Sequence, residues 1–143
     1  MFAFLELMDS KRTHIDTFFV EQSDRTPSVR FDYSSGEAEL KGVSLPENAL
    51  AFYNMLIEKV GGFRDSEPSV VKITVDMDYF NSISSKCLYM LFKEFRNLIE
   101  TGKSTQVVWY HDGENESVED FALVLQDDLR IPVELTHKGV SGN

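Results

Sequence analysis

The chain has 143 residues, of which 42% are hydrophobic and 12% aromatic, which suits one domain with a full core and leaves little room for a second. Its formal net charge of −10 argues against a nucleic-acid backbone or an anionic membrane as the main partner, because both repel an acidic surface. The single cysteine, Cys87, excludes a disulfide framework and indicates a reducing compartment.

Residues 1–15 form an N-terminal extension that carries no assignable pattern. Its apolar octet, Met1 to Met8, is about a third of the length that a membrane span needs, and it lacks a basic lead and a small-residue cleavage site. We therefore expect a cytoplasmic protein with one domain over residues 16–137 and a polar tail over residues 138–143.

The first half of the domain predicts an antiparallel meander followed by a helix. After an initial strand-like segment, TFFVEQ, apolar and polar residues alternate over Val29 to Tyr33 and over Ala38 to Leu40, on either side of a Ser-Ser-Gly turn. Ser44 and Glu47 have the spacing of a capping box, so we expect a helix to start there and to end at Gly61-Gly62.

The segment from Ser69 to Glu100 predicts a buried strand, a polar turn and a long amphipathic helix. The β-branched run from Val70 to Val75 is too apolar for a half-solvated face, which is typical of a central strand. Apolar residues recur at three- and four-residue steps from Cys87 to Ile99 and predict a helix packed on that strand. Three further elements follow: a strand at Gln106 to His111, a helix capped by Ser117, and a strand at Ile131 to Thr136.

This order of elements predicts an α/β fold with a mixed sheet of about five or six strands and three main helices. An N-terminal antiparallel meander precedes a strand-helix-strand-helix-strand series, whose crossovers are expected to be right-handed and its strands parallel.

Three serines, Ser82, Ser84 and Ser85, lie where the long helix is predicted to start. In one interpretation, Asn81 or Ser82 is an ordinary N-cap and the remaining serines are solvated. In the other, the unpaired N–H groups and the helix dipole favour an anion, and one hydroxyl receives a phosphate. Periodicity alone does not separate the two.

Catalytic and metal-binding patterns are weak. Asp76 and Asp78 follow the central strand, as do the aspartates of magnesium-dependent phosphoryl-transferring hydrolases, but no later motif of that class is present. The three histidines, His14, His111 and His137, lack the spacing of a zinc site, and there is no nucleophile elbow or P-loop. We expect no metal, no cofactor and no enzymatic activity, so the domain should act by binding other proteins.

Three segments together resemble the SiaC family of bacterial regulatory phosphoproteins, whose fold is similar to the STAS domains of anti-sigma-factor antagonists. They are Thr26 to Asp32, Gly42 to Ala49, and Asp78 to Lys86, and they occur in the family's order and at its spacing. The resemblance runs from residue 16 to residue 136 and implies a STAS-like single domain.

The resemblance also implies a non-enzymatic switch controlled by phosphorylation. A serine/threonine kinase with an ATPase fold like that of histidine kinases would add the phosphate, and a PP2C-type phosphatase would remove it. The unmodified protein would bind and activate a diguanylate cyclase, in cyclic di-GMP signalling and biofilm control. Matched residue by residue, the acceptor is Ser82, where the family's best-known member has threonine, with Ser84 and Ser85 as alternatives. The expected partner-binding residues surround it: Asp76, Asp78, Tyr79, Phe80, Asn81 and Lys86.

Two other functions remain open at this point. A STAS-type anti-sigma-factor antagonist would use the same serine but sequester a kinase or an anti-sigma factor. A small metal-dependent phosphotransfer enzyme would instead use Asp76 and Asp78.

Overall fold

A computed structural model describes residues 16–113 and 116–138 of the chain. The predictions for the N-terminal extension, for residues 139–143 of the tail and for the side chain of Asp78 lie outside this described part. The elements, in chain order, are β1 (Thr17–Val20), β2 (Ser28–Asp32), β3 (Glu37–Ser44), α1 (Ala49–Val60), β4 (Val70–Phe80), α2 (Ser82–Arg96), β5 (Ser104–His111), α3 (Glu116–Asp128) and β6 (Val133–His137).

The six strands form one mixed sheet in which spatial order equals chain order, from β1 at one edge to β6 at the other. The β1–β2 and β2–β3 pairs are antiparallel, and the β3–β4, β4–β5 and β5–β6 pairs are parallel. The predicted α/β class, the mixed sheet and its three main helices are confirmed.

One face of the sheet carries the hydrophobic core. Alternate residues of β4 are fully buried on this face, namely Val71, Ile73, Val75 and Met77. They meet the apolar stripe of α2, which consists of Cys87, Leu88, Leu91, Phe92 and Phe95. Burying each Leu or Phe side chain stabilises the fold by roughly 1.5–3 kcal/mol. On the other face, Arg30, Glu39 and Lys72 are exposed, so the helices cover one side of the sheet.

A β-bulge near the end of the β3–β4 pair decides which side chains face outward there. Lys41 pairs with Asp76, but the next pair is Val43 with Tyr79, so β3 advances by two residues and β4 by three. An extra residue on one strand reverses its alternation of side chains. Gly42 lies at this point with φ of +128°, a value that side-chain-bearing residues rarely adopt.

The bulge also explains why the predicted polar turn is wrong. The ladder continues past it, so β4 extends to Phe80, Asp76 and Asp78 belong to the strand, and Asn81 alone separates β4 from α2. Phe80 turns inward and is 8% exposed, whereas Tyr79 turns outward and is 51% exposed.

Two predicted helix starts are also wrong. Ser44 is the last residue of β3, and α1 begins at Ala49, where the Asn48 side chain accepts a hydrogen bond from the backbone N–H of Ala51 at 3.1 Å. Ser117 lies inside α3, which already includes Glu116.

No helix in the described part of the chain combines the length and the hydropathy that a membrane crossing requires.

Candidate functional site

The candidate site is the junction at which β4 ends and α2 begins. Asn81 has an extended backbone, and its side-chain oxygen accepts a hydrogen bond from the Ser84 N–H at 2.8 Å. Its backbone carbonyl accepts from the Ser85 N–H at 2.9 Å. Asn81 is therefore the N-cap of α2, as one of the two predicted alternatives had it, and such a cap stabilises a helix by about 1 kcal/mol.

Ser82 is the first residue of α2 and is exposed. Its hydroxyl makes no hydrogen bond within the described residues, although its carbonyl accepts one from the Ser85 hydroxyl at 2.7 Å. The N–H groups of Ser82 and Ile83 have no intrahelical partner because they belong to the first turn. The positive end of the α2 dipole is thus beside an accessible hydroxyl.

The other two serines differ from Ser82 in exposure. Ser84 is fully buried, and Ser85 is half-buried with its hydroxyl directed back to the Ser82 carbonyl. Of the three hydroxyls predicted as acceptors, that of Ser82 is the one that the structure presents to solvent.

Ser84 belongs to a buried hydrogen-bonded chain of hydroxyls beneath the site. The Tyr53 hydroxyl lies 2.5 Å from Ser44 Oγ, Ser44 Oγ donates to Ser84 Oγ at 2.8 Å, and Ser84 Oγ donates to the Ser44 carbonyl at 3.0 Å. This order leaves Tyr53 as the donor to Ser44. Burial raises the pKa of Tyr53 to about 12, so the phenol keeps its proton at neutral pH. This series of hydrogen bonds connects β3, α1 and α2.

The predicted partner-binding residues are not all on the surface. Tyr79 and Lys86 are exposed, and Ile83, which the sequence did not single out, is 60% exposed next to Ser82. Phe80 packs in the core with its ring centroid 5.9 Å from that of Trp109 and 5.7 Å from that of Phe121. The structure therefore shows Phe80 as a support for the site from inside.

Asp76 makes an ion pair in which its Oδ1 lies 2.6 Å from Lys138 Nζ, just after β6. His111 and His137 are brought together by the β5–β6 register, with ring centroids 5.5 Å apart. Among the residues described, no group of three or more His, Cys, Asp or Glu side chains is arranged to hold a metal ion. The Asp76 carboxylate is thus paired with a protein ammonium group.

A groove of about 270 Å³ opens between the start of α2 and the neighbouring face of α3. It is lined by Phe80, Asn81, Ser82, Ser85, Ser117, Asp120, Phe121 and Val124. The contribution of α3 to the site is not visible in the sequence, because the approach of the two helices depends on tertiary packing. The S-x-x-D spacing of Ser117 and Asp120 predicts only a helix cap.

A larger groove, of about 780 Å³, lies at the opposite edge of the sheet, where α1 ends, and includes Phe18, Tyr33 and Lys59. Its walls share no residue with the junction of β4 and α2. We place the candidate site at the junction, since the exposed Ser82 hydroxyl is there.

The fold and the site define a small α/β domain that offers an exposed serine at a helix start. The sequence profile described as "SiaC family regulatory phosphoprotein" matches residues 20–138, and the chain belongs to this family. The resemblance based on the three sequence segments is confirmed.

The relatives of known sequence or structure are distant but similar over most of their length. An uncharacterized protein of Pseudomonas aeruginosa (strain UCBPP-PA14) is 23% identical over 107 residues, which cover 75% of this chain and 85% of that protein. The crystal structure of apo-SiaC from P. aeruginosa has a TM-score of 0.73 at 19% identity, covering 85% of this chain and 99% of that one. A chain in the crystal structure of the diguanylate cyclase SiaD in complex with its activator SiaC, from the same organism, gives 0.73 at 21% identity, covering 84% and 98%.

Proposed function

We propose that this protein is a non-enzymatic, cytoplasmic switch that binds and activates a diguanylate cyclase while Ser82 is unphosphorylated. A serine/threonine kinase of histidine-kinase-like ATPase fold modifies Ser82, and a PP2C-type phosphatase reverses the modification. The observation that carries the proposal is the exposed Ser82 hydroxyl at the start of α2, flanked by the exposed side chains of Tyr79 and Ile83. Membership of the SiaC family supports the regulatory role.

The position of Ser82 allows the fold to accept a phosphoryl group. Phosphorylation adds about −1.5 to −2 charges, and a helix N-terminus favours negative charge. The N–H groups of Ser82 and Ile83 belong to the first turn of α2 and have no intrahelical partner, and Lys86 follows one turn later. We therefore expect modification to leave the folded structure intact.

The same charge opposes a partner that docks over the junction. A partner in contact with Tyr79 and Ile83 covers Ser82 as well, and a phosphoryl group there must lose its hydration when the interface closes. A loss of a few kcal/mol lowers affinity by two or more decades. One hydroxyl would thereby control binding.

The choice of a cyclase as partner is supported by the structural neighbour in which SiaC is the activator of SiaD. That structural similarity shows a shared fold. Membership of a family of regulatory phosphoproteins supports control of the partner by phosphorylation. We expect the partner to contact Tyr79 and Lys86, the exposed members of the predicted partner-binding residues around Ser82.

The test is binding of Ser82→Ala, Ser82→Asp and wild-type protein to a diguanylate cyclase from the same genome, by calorimetry and by the rate of cyclic di-GMP synthesis. Ser35→Asp is the matched control, because Ser35 is exposed in the turn between β2 and β3. We expect Ser82→Ala and Ser35→Asp to bind and activate like wild type and Ser82→Asp to bind at least about 100-fold more weakly. Equal affinity of Ser82→Ala and Ser82→Asp contradicts the proposal.

The modifying enzymes are tested separately. Wild-type protein and Ser82→Ala are incubated with candidate kinases and ATP, and phosphopeptides are mapped, with the PP2C-type phosphatase added afterwards. We expect the label on Ser82 alone, its loss after phosphatase treatment, and no label on Ser82→Ala. Full labelling of Ser82→Ala places the acceptor elsewhere.

A further inference from the structure

The groove between α2 and α3 places a carboxylate opposite the proposed phosphorylation site. Ser82 and Ser85 form its α2 wall, and Ser117, Asp120 and Val124 form its α3 wall. Its base is closed by the packed rings of Phe80 and Phe121, so the floor is apolar and anchored in the core.

Asp120 is the charged residue on the α3 wall of this groove. It is exposed, and its carboxylate makes no hydrogen bond or ion pair with any residue in the described ranges. On the α2 side, the Ser85 hydroxyl donates to the Ser82 carbonyl, and Ser82 lines the same groove as Asp120.

We propose that Asp120 is the residue through which α3 responds to phosphorylation: the phosphoryl group on Ser82 faces the Asp120 carboxylate across the groove, and their like charges push against each other. The inference rests on the proposed function, because it requires phosphorylation of Ser82. At a separation of about 6–7 Å in a hydrated setting, one charge shifts the pKa of another by about half a unit to one unit.

The charges around the phosphoryl group are asymmetric. From α2 it receives support, through the helix N-terminus and Lys86 one turn later. From α3 it meets Asp120, while Glu119 in the same turn is exposed but does not line the groove. The phosphoryl group is therefore stabilised by α2 and repelled by α3, so the conformational response to phosphorylation is expected in α3.

This effect reaches the surface through Val124, which lines the same groove and is 39% exposed. Val124 is one turn after Asp120 on α3. A displacement of α3 moves this apolar side chain relative to Ile83 at the start of α2. Phosphorylation would thereby alter the α3 side of the docking surface as well as adding charge to the α2 side.

The experiment uses the full chain with phosphoserine placed at position 82 by genetic encoding, so that no kinase is needed. The pKa of the phosphoserine is measured by ³¹P NMR titration in the otherwise wild-type protein, in Asp120→Asn and in Glu119→Gln. Both variants remove one charge from the same turn with little change in shape. We expect Asp120→Asn to lower the phosphoserine pKa by about half a unit to one unit and Glu119→Gln to lower it by less than half of that.

A second readout follows α3 directly. Phosphoserine at position 82 should shift the backbone amide resonances of residues 117–124 in the wild-type background, and Asp120→Asn should reduce these shifts by at least about half. Equal phosphoserine pKa values in Asp120→Asn and Glu119→Gln overturn the inference, as do α3 shifts that Asp120→Asn leaves unchanged. The proposed function fails separately, if the phosphoserine protein binds the cyclase as tightly as the unmodified protein.

Discussion

Ser84→Ala gives a direct test of how the hydroxyls at the junction are assigned. The substitution removes a buried group that accepts a hydrogen bond from Ser44 Oγ and donates one to the Ser44 carbonyl. The Ser44 carbonyl still accepts a hydrogen bond from the Asn81 N–H at 3.2 Å. The Ser44 hydroxyl, however, loses its acceptor, although it still accepts a hydrogen bond from the Tyr53 hydroxyl. A lost net hydrogen bond and an unsatisfied buried donor together cost about 2 kcal/mol.

The assay is urea unfolding followed by circular dichroism. With an m-value of roughly 2 kcal/mol/M, the unfolding midpoint of Ser84→Ala should fall by about 1 M. Ser82→Ala is the matched control, because it changes the same residue type two positions away at an exposed site, and its free energy of unfolding should stay within about 0.5 kcal/mol of wild type.

A double-mutant cycle sharpens the test. Ser44→Ala removes the proton that Ser84→Ala leaves without an acceptor, so the double variant should be less destabilised than the sum of the two single variants. Equal midpoints for Ser84→Ala and Ser82→Ala would refute the reasoning, because they would mean that the buried chain of hydroxyls contributes nothing to stability.

Three further predictions concern the scaffold. Gly42→Ala should lower the free energy of unfolding by about 1–3 kcal/mol in urea unfolding, since its φ is +128° and a Cβ would lie 3.1 Å from the Gln22 side chain. Lys103→Met should cost about 2 kcal/mol and speed limited proteolysis of residues 64–69, because the buried ammonium donates to the Ser66 and Pro68 carbonyls at 2.6 and 2.7 Å. The pKa of Tyr53 is about 12 when folded and 10 when unfolded, so stability should fall as pH rises from about 10 to about 12, and Tyr53→Phe should reduce that slope in urea midpoints measured against pH.

The core of the fold was predictable because it depends on local patterns. The β-branched run that begins at Val70 and the three- and four-residue spacing after Cys87 identified β4 and α2, and the structure buries Val71, Ile73 and the α2 stripe accordingly. Asn81 as a possible N-cap followed from residue type alone, since its partner is only three residues away. In each case the deciding contacts are near in sequence or repeat with a fixed period.

The features that were missed depend on partners distant in the chain. Ser44 had the local spacing of a helix cap, yet its hydroxyl bonds to Ser84, 40 residues later, and that buried contact prevails. The bulge opposite Gly42 reversed the side-chain alternation of β4, so a pattern with period two could not place Phe80 inside and Tyr79 outside. Asp120 joined the site only because α3 packs beside the start of α2.

The location of Ser82 in the first turn of a capped helix determines what kind of enzyme can act on it. Half of the residues that line the groove beside this hydroxyl come from α3, far away in the chain, and Ser84 anchors the helix start in the interior. A short synthetic peptide spanning residues 78–86 would contain the proposed acceptor but lack that three-dimensional context. We therefore expect the proposed kinase to recognise Ser82 within the folded domain, and a screen against peptide arrays to miss this target.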